Sequence, residues 1–555
     1  MINNLLFNYY INIQIGGIEK KWRELNHNGV LFPDEYIYNE IPLIYNNKEI
    51  VLNKEAEEYA LYYSRYINTE YTNNKKFNKN FWKDWVKLID KKLNINDFEK
   101  CNFKNFIIFL EKKREINLKL LENEKKIIKD NKDKYEEKYK YSIIDGKKQV
   151  IGNYRVEPPG IFLGRGCHPK TGSIKKRILP KDITINIGKD SKIPEINLKG
   201  DYKWGEIIHD NNVIWLASWL DPITKKYKYV FPGDTSEFKS KSDINKFNLA
   251  KKLKNKIGEI RKINNENLKS NDIVTQQLAT ILYLIDNLAL RVGNEKSKDE
   301  ADTVGVSSLR VEHITLLDDI KNKIKLDFLG KDSIRYINKF DISKEVYNNL
   351  NKFMLNKKSK DEIFDKIKSD DINKYLQTFM KNLTSKVFRT YNASNLFQKE
   401  LNLITKKFEN YEKEDKINLI LDLYNKANAK VALLCNHQKK ISKGFNNNIN
   451  KINSKIKELK NKKKIYLDKK KINNSKSLRE RIKNIDFKIK LLKSKKSSKI
   501  EMKSVSLGTS KINYIDPRIT IAFLKKHNID INKLFTKTLQ QKFKWAFDID
   551  ENYKF

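Results

Sequence analysis

The sequence predicts an α+β multidomain protein, and three observations carry the prediction. Short apolar segments separated by turn residues dominate the chain up to Pro232, the pattern of small sheets with interspersed helices. From Asn248 onward, apolar residues recur every three or four positions, as helices require. Residues 451–500 hold 20 Lys and Arg against 4 Asp and Glu, a composition that alone would suggest a disordered charge run. Yet Ile452, Ile456 and Leu459, then Leu478, Ile482, Ile485, Ile489 and Leu492, keep a four-three rhythm. The rhythm predicts two antiparallel helices meeting along a thin apolar seam, an antiparallel coiled coil.

With 555 residues, 39% of them hydrophobic, the chain can bury more than one core. Lys and Arg outnumber Asp and Glu by 113 to 70, a formal charge of +43, so the expected partner is a polyanion. No uninterrupted apolar run is long enough to span a bilayer and no cleavable leader opens the chain, which sets membranes aside. Cys101, Cys167 and Cys435 lie far apart, with no CxxC unit, which excludes a disulfide scaffold and a sulfur-rich zinc site.

Taken in order, residues 1–19 carry too little pattern to assign. A helix is expected from Lys54, with Ala56, Tyr59, Ala60 and Tyr63 on one face, and another around Trp82, Trp85, Val86 and Ile89. Phe103 to Tyr139 reads as a long, charged, solvated helical stretch. Around Asp145-Gly146 the period becomes that of a hairpin, and Lys203 to Tyr229 reads as a strand-rich unit. Residues 232–246 are polar and punctuated, so a lobe boundary is placed there. A strongly apolar helix, IVTQQLATILYLIDNLALRVG, leaves through Gly293, and Ile324 to Tyr336 forms a hairpin with Lys331 at its tip. Polar helices follow from 343 to 380, and another from the Thr384-Ser385 start. A loop spans Glu409 to Lys416, and the next helix leads to VALLCNHQKK. Beyond the charged pair, Ile519 to His527 and Ile531 to Ala546 read as two short helices.

Several residues stand out, and each has an ordinary structural explanation when taken singly. Arg165, His168, Lys170, Lys175, Lys176 and Arg177 lie in the glycine-punctuated stretch IFLGRGCHPKTGSIKKRILP, which suits a sugar-phosphate backbone but also an ordinary surface turn. Arg291 could complement a helix end. Lys331 could be a solvated tip, Arg389 could snorkel off an apolar patch, and His437 could be a packing histidine. Tyr514, in LGTSKINYIDPRIT, could be one more amphipathic ring.

Together these segments resemble eukaryotic type IB DNA topoisomerases over about residues 20–555. The closest likeness is in LALRVGNEKSKDEADTVGVSSLRVEHI, in the GKDSIRY hairpin, in KVFRTYNAS, in the NHQ motif and in the tyrosine segment. The resemblance implies a clamp around double-stranded DNA, acting as a monomer, with no cofactor and no metal. It divides the chain into an unassigned arm (1–19), N-terminal core lobes forming a DNA-embracing cap (20–236), a mainly helical catalytic lobe (237–445), a coiled-coil linker (446–502) and a small helical C-terminal domain (503–555). It implies a form without the long N-terminal tail of the family, and residence in the nucleus, or in a virion or host compartment if virus-encoded.

Residue by residue, it makes Tyr514 the nucleophile, Arg291 and Arg389 the clamp on the phosphate, His437 a donor to a non-bridging oxygen, and Lys331 the acid for the leaving 5′ oxygen. Asp332 and Asn513 join the basic loop as DNA contacts. Such a set would cut one strand through a 3′-phosphotyrosyl intermediate, allow rotation and reseal it without ATP, because the covalent bond conserves the phosphodiester. A tyrosine recombinase or integrase, or a non-enzymatic DNA-binding chromatin protein, remains an alternative.

Overall fold

The computed structural model describes residues 20–293, 296, 299–318, 321–409, 416–439, 441–442, 444–472 and 475–555. The expectations for residues 1–19, for the loop centred on 410–415 and for the Asn473-Asn474 turn lie outside these. The chain divides into two compact units, one comprising Met1–Ser242 and Lys296–Thr303, the other Asp243–Glu295 and Val304–Phe555. Mixed α/β organisation characterises the first and mainly helical organisation the second.

The first unit builds two cores. One gathers Phe77, Phe81, Trp85, Phe103 and Phe106 between the helices Lys54–Ser64, Lys75–Trp85 and Lys104–Lys119 and a three-stranded sheet. Asn53 and Asn74 start the first two helices by accepting from backbone N–H groups two or three residues on. The second core packs Trp22, Phe32, Ile185 and Trp219 around a four-stranded sheet. There Glu206–Ile208 runs parallel to Ile183–Asn186, and Ala217–Leu220 and Tyr227–Val230 run antiparallel. The hairpin Tyr141–Ile144/Lys147–Val150 turns at Asp145 and Gly146, both with positive φ (50° and 73°), as a tight two-residue hairpin requires.

Three boundaries differ from the sequence reading. The long charged stretch is two helices, Lys104–Lys119 and Glu122–Glu136, because the Glu124 carboxylate accepts from Leu121 N at 2.8 Å and caps a new helix there. The polar stretch 232–246 is helical from Glu237, in a 31-residue helix, Glu237–Asn267, that continues through Ser242 into the second unit. The apolar helix Ile273–Leu288 ends at Ala289, whose φ is +49°, and not at Gly293.

The second unit has one large core, in which Ile281, Leu284 and Ile285 of that helix meet Phe388, Phe397 and Tyr424 of the helices Ser385–Phe408 and Lys416–Leu434. A three-stranded antiparallel sheet, Ile314–Asp318, Lys323–Leu329 and Arg335–Asp341, packs on it through Ile324, Leu326 and Phe328. The charged stretch forms two long helices, Phe445–Ile472 and Lys476–Glu501, joined by Ile452, Ile456, Ile485 and Ile489, while Leu478 and Ile482 stay half-buried. At their base, Ser494 and Ser498 donate to the two carboxylate oxygens of Asp422 on Lys416–Leu434, at 2.9 and 2.6 Å. The chain end docks on the same core through Phe543, Ala546 and Phe555.

Candidate active site

Arg291 is placed by backbone, not by a helix. Beyond Ala289 the chain extends, and Arg291 O and Val292 O accept from Val306 N and Ser307 N at 2.9 and 2.8 Å. This pairing needs two glycines in contact. A Cβ on Gly305 would stand 2.4 Å from Gly293, and Gly293 itself has φ +89°. Arg261 pins the end of the preceding helix by a bidentate pair with buried Asp286 (2.7 and 3.1 Å), whose main-chain oxygen accepts from Asn392 on the Arg389 helix.

Arg389 is 4% exposed, one turn into Ser385–Phe408. Its Nη2 donates to Cys435 O at 2.9 Å, and its buried Nε has no partner among the described residues. Cys435 ends the next helix. There Asn436 adopts φ +52° and His437 N returns to Ala432 O at 2.8 Å, turning His437 inward, where it is also 4% exposed. The strip after the turn then pairs with the segment ahead of the tyrosine. Ser506 N donates to His437 O and Lys439 N to Ser504 O, both at 2.8 Å.

The tyrosine helix is short, Leu507–Asn513, and Tyr514 closes it with its N–H on Ser510 O. Ser394 of the Arg389 helix fixes the backbone on both sides of Ile515: its hydroxyl donates to Tyr514 O and accepts from Asp516 N, each at 3.0 Å. Asp516 is fully buried, caps Pro517–Lys526 and holds Arg518 in a bidentate pair, so Asp-Pro-Arg starts the next helix as well as stopping the last. Lys511 buries its ammonium to reach Leu534 O at 3.0 Å, and that burial lowers its pKa to about 8.

These elements bring four of the five expected catalytic residues together. The Arg389 guanidinium lies 4.9 Å from the Tyr514 ring centroid, and the His437 ring lies 5.0 Å from it. Arg291 lies in the field of Tyr514; burial and the like charge of Arg389 pull its pKa below the ordinary guanidinium value, against the pull of Tyr514. Neither arginine pairs with a carboxylate among the described residues. Burial first, then Arg389 and Arg291, lower the pKa of His437 to about 3, so its imidazole is neutral.

Lys331 stands apart. It is exposed at the hairpin tip, in a turn where Asp332 and Ser333 both have positive φ, and no hydrogen bond or ion pair reaches it among the described residues. Its hairpin is not remote from the clamp, because Tyr336 on the return strand lies in the field of Arg389. Asp332 is exposed, and so is Asn513, whose amide donates back to Thr509 O.

In the first unit the basic loop is tightly built. Gly172, at φ +90°, lies so close to Phe77 that a Cβ would stand 2.0 Å from the Phe77 oxygen. His168 packs edge-on against Phe162 and accepts from Lys170 N, and Lys170 bonds Ile223 O (3.1 Å) and Asp299 (3.3 Å). Lys175 pairs with Glu157, and Arg177 holds Glu58, Pro33 O and Asp34 O. Arg165 and Lys176 are exposed. Sequence reasoning missed Ser394, Ser510 and Lys511. Ser510 alone carried a signal, since a residue four before Tyr514 shares its helix face.

Three family models match the chain: "Eukaryotic DNA topoisomerase I, DNA binding fragment" over residues 20–232, "Eukaryotic DNA topoisomerase I, catalytic core" over 235–470 and "C-terminal topoisomerase domain" over 486–555. DNA topoisomerase 1 beta of Arabidopsis thaliana is 41% identical over 97% of the chain, DNA topoisomerase 1 of Caenorhabditis elegans 42% over 96%, and that of Homo sapiens 40% over 96%. The chain spans 60%, 68% and 72% of those three proteins.

Proposed function

The chain belongs to the eukaryotic DNA topoisomerase I family, and on that premise we propose that it is a type IB DNA topoisomerase. It relaxes supercoiled double-stranded DNA by cutting one strand, letting it rotate and resealing it, without ATP. The observation that carries this is the surroundings of Tyr514. Two guanidiniums and a neutral imidazole face one phenol ring, with no carboxylate among the described residues to neutralise the arginines. Such a cluster favours an anion with several oxygens, and a pentacoordinate phosphate is one.

In this reading the Tyr514 hydroxyl releases its proton to solvent water and its oxygen attacks phosphorus, forming a 3′-phosphotyrosyl bond as the bond to the 5′ oxygen breaks. Arg291 stabilises the phenolate as it forms, and Arg389 and Arg291 take the charge that builds on the non-bridging oxygens. His437 donates to one of these oxygens. Lys331 is carried in on its hairpin with the DNA and gives its proton to the leaving 5′ oxygen, so that reversal needs only the same groups. Arg165, Lys176 and the rest of the basic loop, with Asp332 and Asn513, contact DNA. The domain limits 20–236, 237–445, 446–502 and 503–555 become cap, catalytic lobe, coiled-coil linker and nucleophile-bearing domain of a monomeric clamp working in the nucleus.

The test is supercoiled plasmid incubated with the purified chain, without ATP and with a metal chelator. The native chain is expected to relax it and to leave a covalent adduct on denaturation, and Tyr514→Phe to do neither while binding DNA normally. Relaxation by Tyr514→Phe would remove Tyr514 from the chemistry, and no adduct from the native chain would remove the function.

A further inference from the structure

Ser510 is fully buried on the tyrosine helix, one turn before Tyr514, and its hydroxyl lies 2.7 Å from Nδ1 of His437. The hydroxyl has no other hydrogen-bond partner among the described residues, and Nε2 of the same imidazole is buried without one. A neutral imidazole carries its proton on one nitrogen only. If Nδ1 held it and donated to Ser510, the serine proton and the Nε2 lone pair would both be left unmatched in a buried site. If Ser510 donates to Nδ1, one unmatched group remains, an Nε2–H. The second arrangement leaves fewer buried polar groups unsatisfied and is favoured.

We propose that Ser510 is a positioning residue. Its hydroxyl donates to Nδ1 and holds His437 as the Nε2–H tautomer, so that the imidazole offers a donor, not an acceptor, to one non-bridging oxygen of the scissile phosphate. The contact also links two neighbours of that phosphate directly, since Ser510 sits on the helix that Tyr514 closes. The proposal rests on the function given above and adds to it a residue that touches neither DNA nor the reacting atoms.

The experiment uses the full chain and duplex oligonucleotides whose scissile phosphate carries sulfur at one or the other non-bridging position, with single-turnover cleavage rates. The sulfur that replaces the oxygen facing His437 should slow the native chain, and that isomer-specific penalty should vanish in His437→Ala. Ser510→Ala is expected to cleave unmodified DNA about tenfold more slowly, the equivalent of one oriented hydrogen bond. It should also lose the same isomer-specific penalty, with unchanged DNA affinity and a thermal midpoint lowered only by as much as one lost buried hydrogen bond requires. Ser510→Cys, slightly larger but with a weaker donor in the same place, should fall between. A Ser510→Ala chain that is slower on every substrate but keeps the penalty would reduce the serine to packing, and one with native rates would end the proposal. Absence of adduct from the native chain would instead strike the function beneath it.

Discussion

Around Tyr514, Arg389 and His437 are each 4% exposed and the arginines have no carboxylate partner among the described residues. In the basic loop, Lys176 is exposed, while Lys170, Lys175 and Arg177 are tied to Asp299, Glu157 and Glu58. We read the two sets of cations as serving two purposes. Uncompensated, desolvated cations act strongly on one phosphate, because little solvent reorganises when charge develops there. Exposed cations act weakly and additively on many phosphates, and paired ones act on the fold.

The comparison breaks first at Arg389. Arg389→Ala should slow cleavage by about 10² to 10³, roughly 3–4 kcal/mol, while DNA affinity falls far less. Arg389→Lys should restore little, because an ammonium cannot both hold Cys435 O and present a planar fork. Single-turnover cleavage set beside equilibrium binding reads both, and an affinity loss as large as the rate loss would place Arg389 among ordinary phosphate contacts.

Acid should test the buried histidine next. His437 has its folded pKa lowered to about 3, below the unfolded value of 6.5, so between these limits the unfolded chain binds the extra proton. Stability is then complete above about pH 6.5 and falls as pH drops toward 3. The contribution lost between pH 7 and pH 5 is about 2 kcal/mol. Denaturant unfolding of the free chain at the two pH values, native against His437→Gln, should give a shallower pH slope in the variant; parallel slopes would mean that the imidazole is not buried neutral.

The two kinds of loop cation should separate with smaller effects. Arg177→Ala leaves two carbonyls without their side-chain donor and Glu58 with the Tyr62 hydroxyl but no cation, and should destabilise its unit by about 1–3 kcal/mol, seen as an earlier thermal transition. Lys176→Ala should leave stability unchanged, weaken DNA binding severalfold and reduce the slope of log affinity against log salt by about one. If Lys176→Ala shifts the thermal transition and Arg177→Ala changes only the salt slope, the division drawn between them is reversed.

Much of this was legible in the sequence where the physics is local. Asp145-Gly146 specified a tight turn because both positions need positive φ. The spacing of Ile452, Ile456, Ile485 and Ile489 specified a seam between two charged helices. The break within Phe103 to Tyr139 is not legible in the spacing because it depends on one side chain, Glu124, returning to cap the Leu121 N–H. The helix end at Ala289 was misplaced because a non-glycine residue takes the left-handed conformation there, which composition does not announce.

The inventory is legible in the chain alone: two arginines, a histidine, a hairpin lysine and a tyrosine, together with most of the helices and turns that carry them. Folding brings His437 and Ser510, 73 positions apart, into one hydrogen bond, and sets Ser394 to hold the Tyr514 backbone from 120 positions away. It also decided that Arg177 is held by Glu58 and two backbone carbonyls while Lys176 beside it is exposed. The reason is that turn geometry and amphipathic spacing are properties of neighbouring residues, whereas desolvation and charge pairing depend on what the folded chain brings alongside.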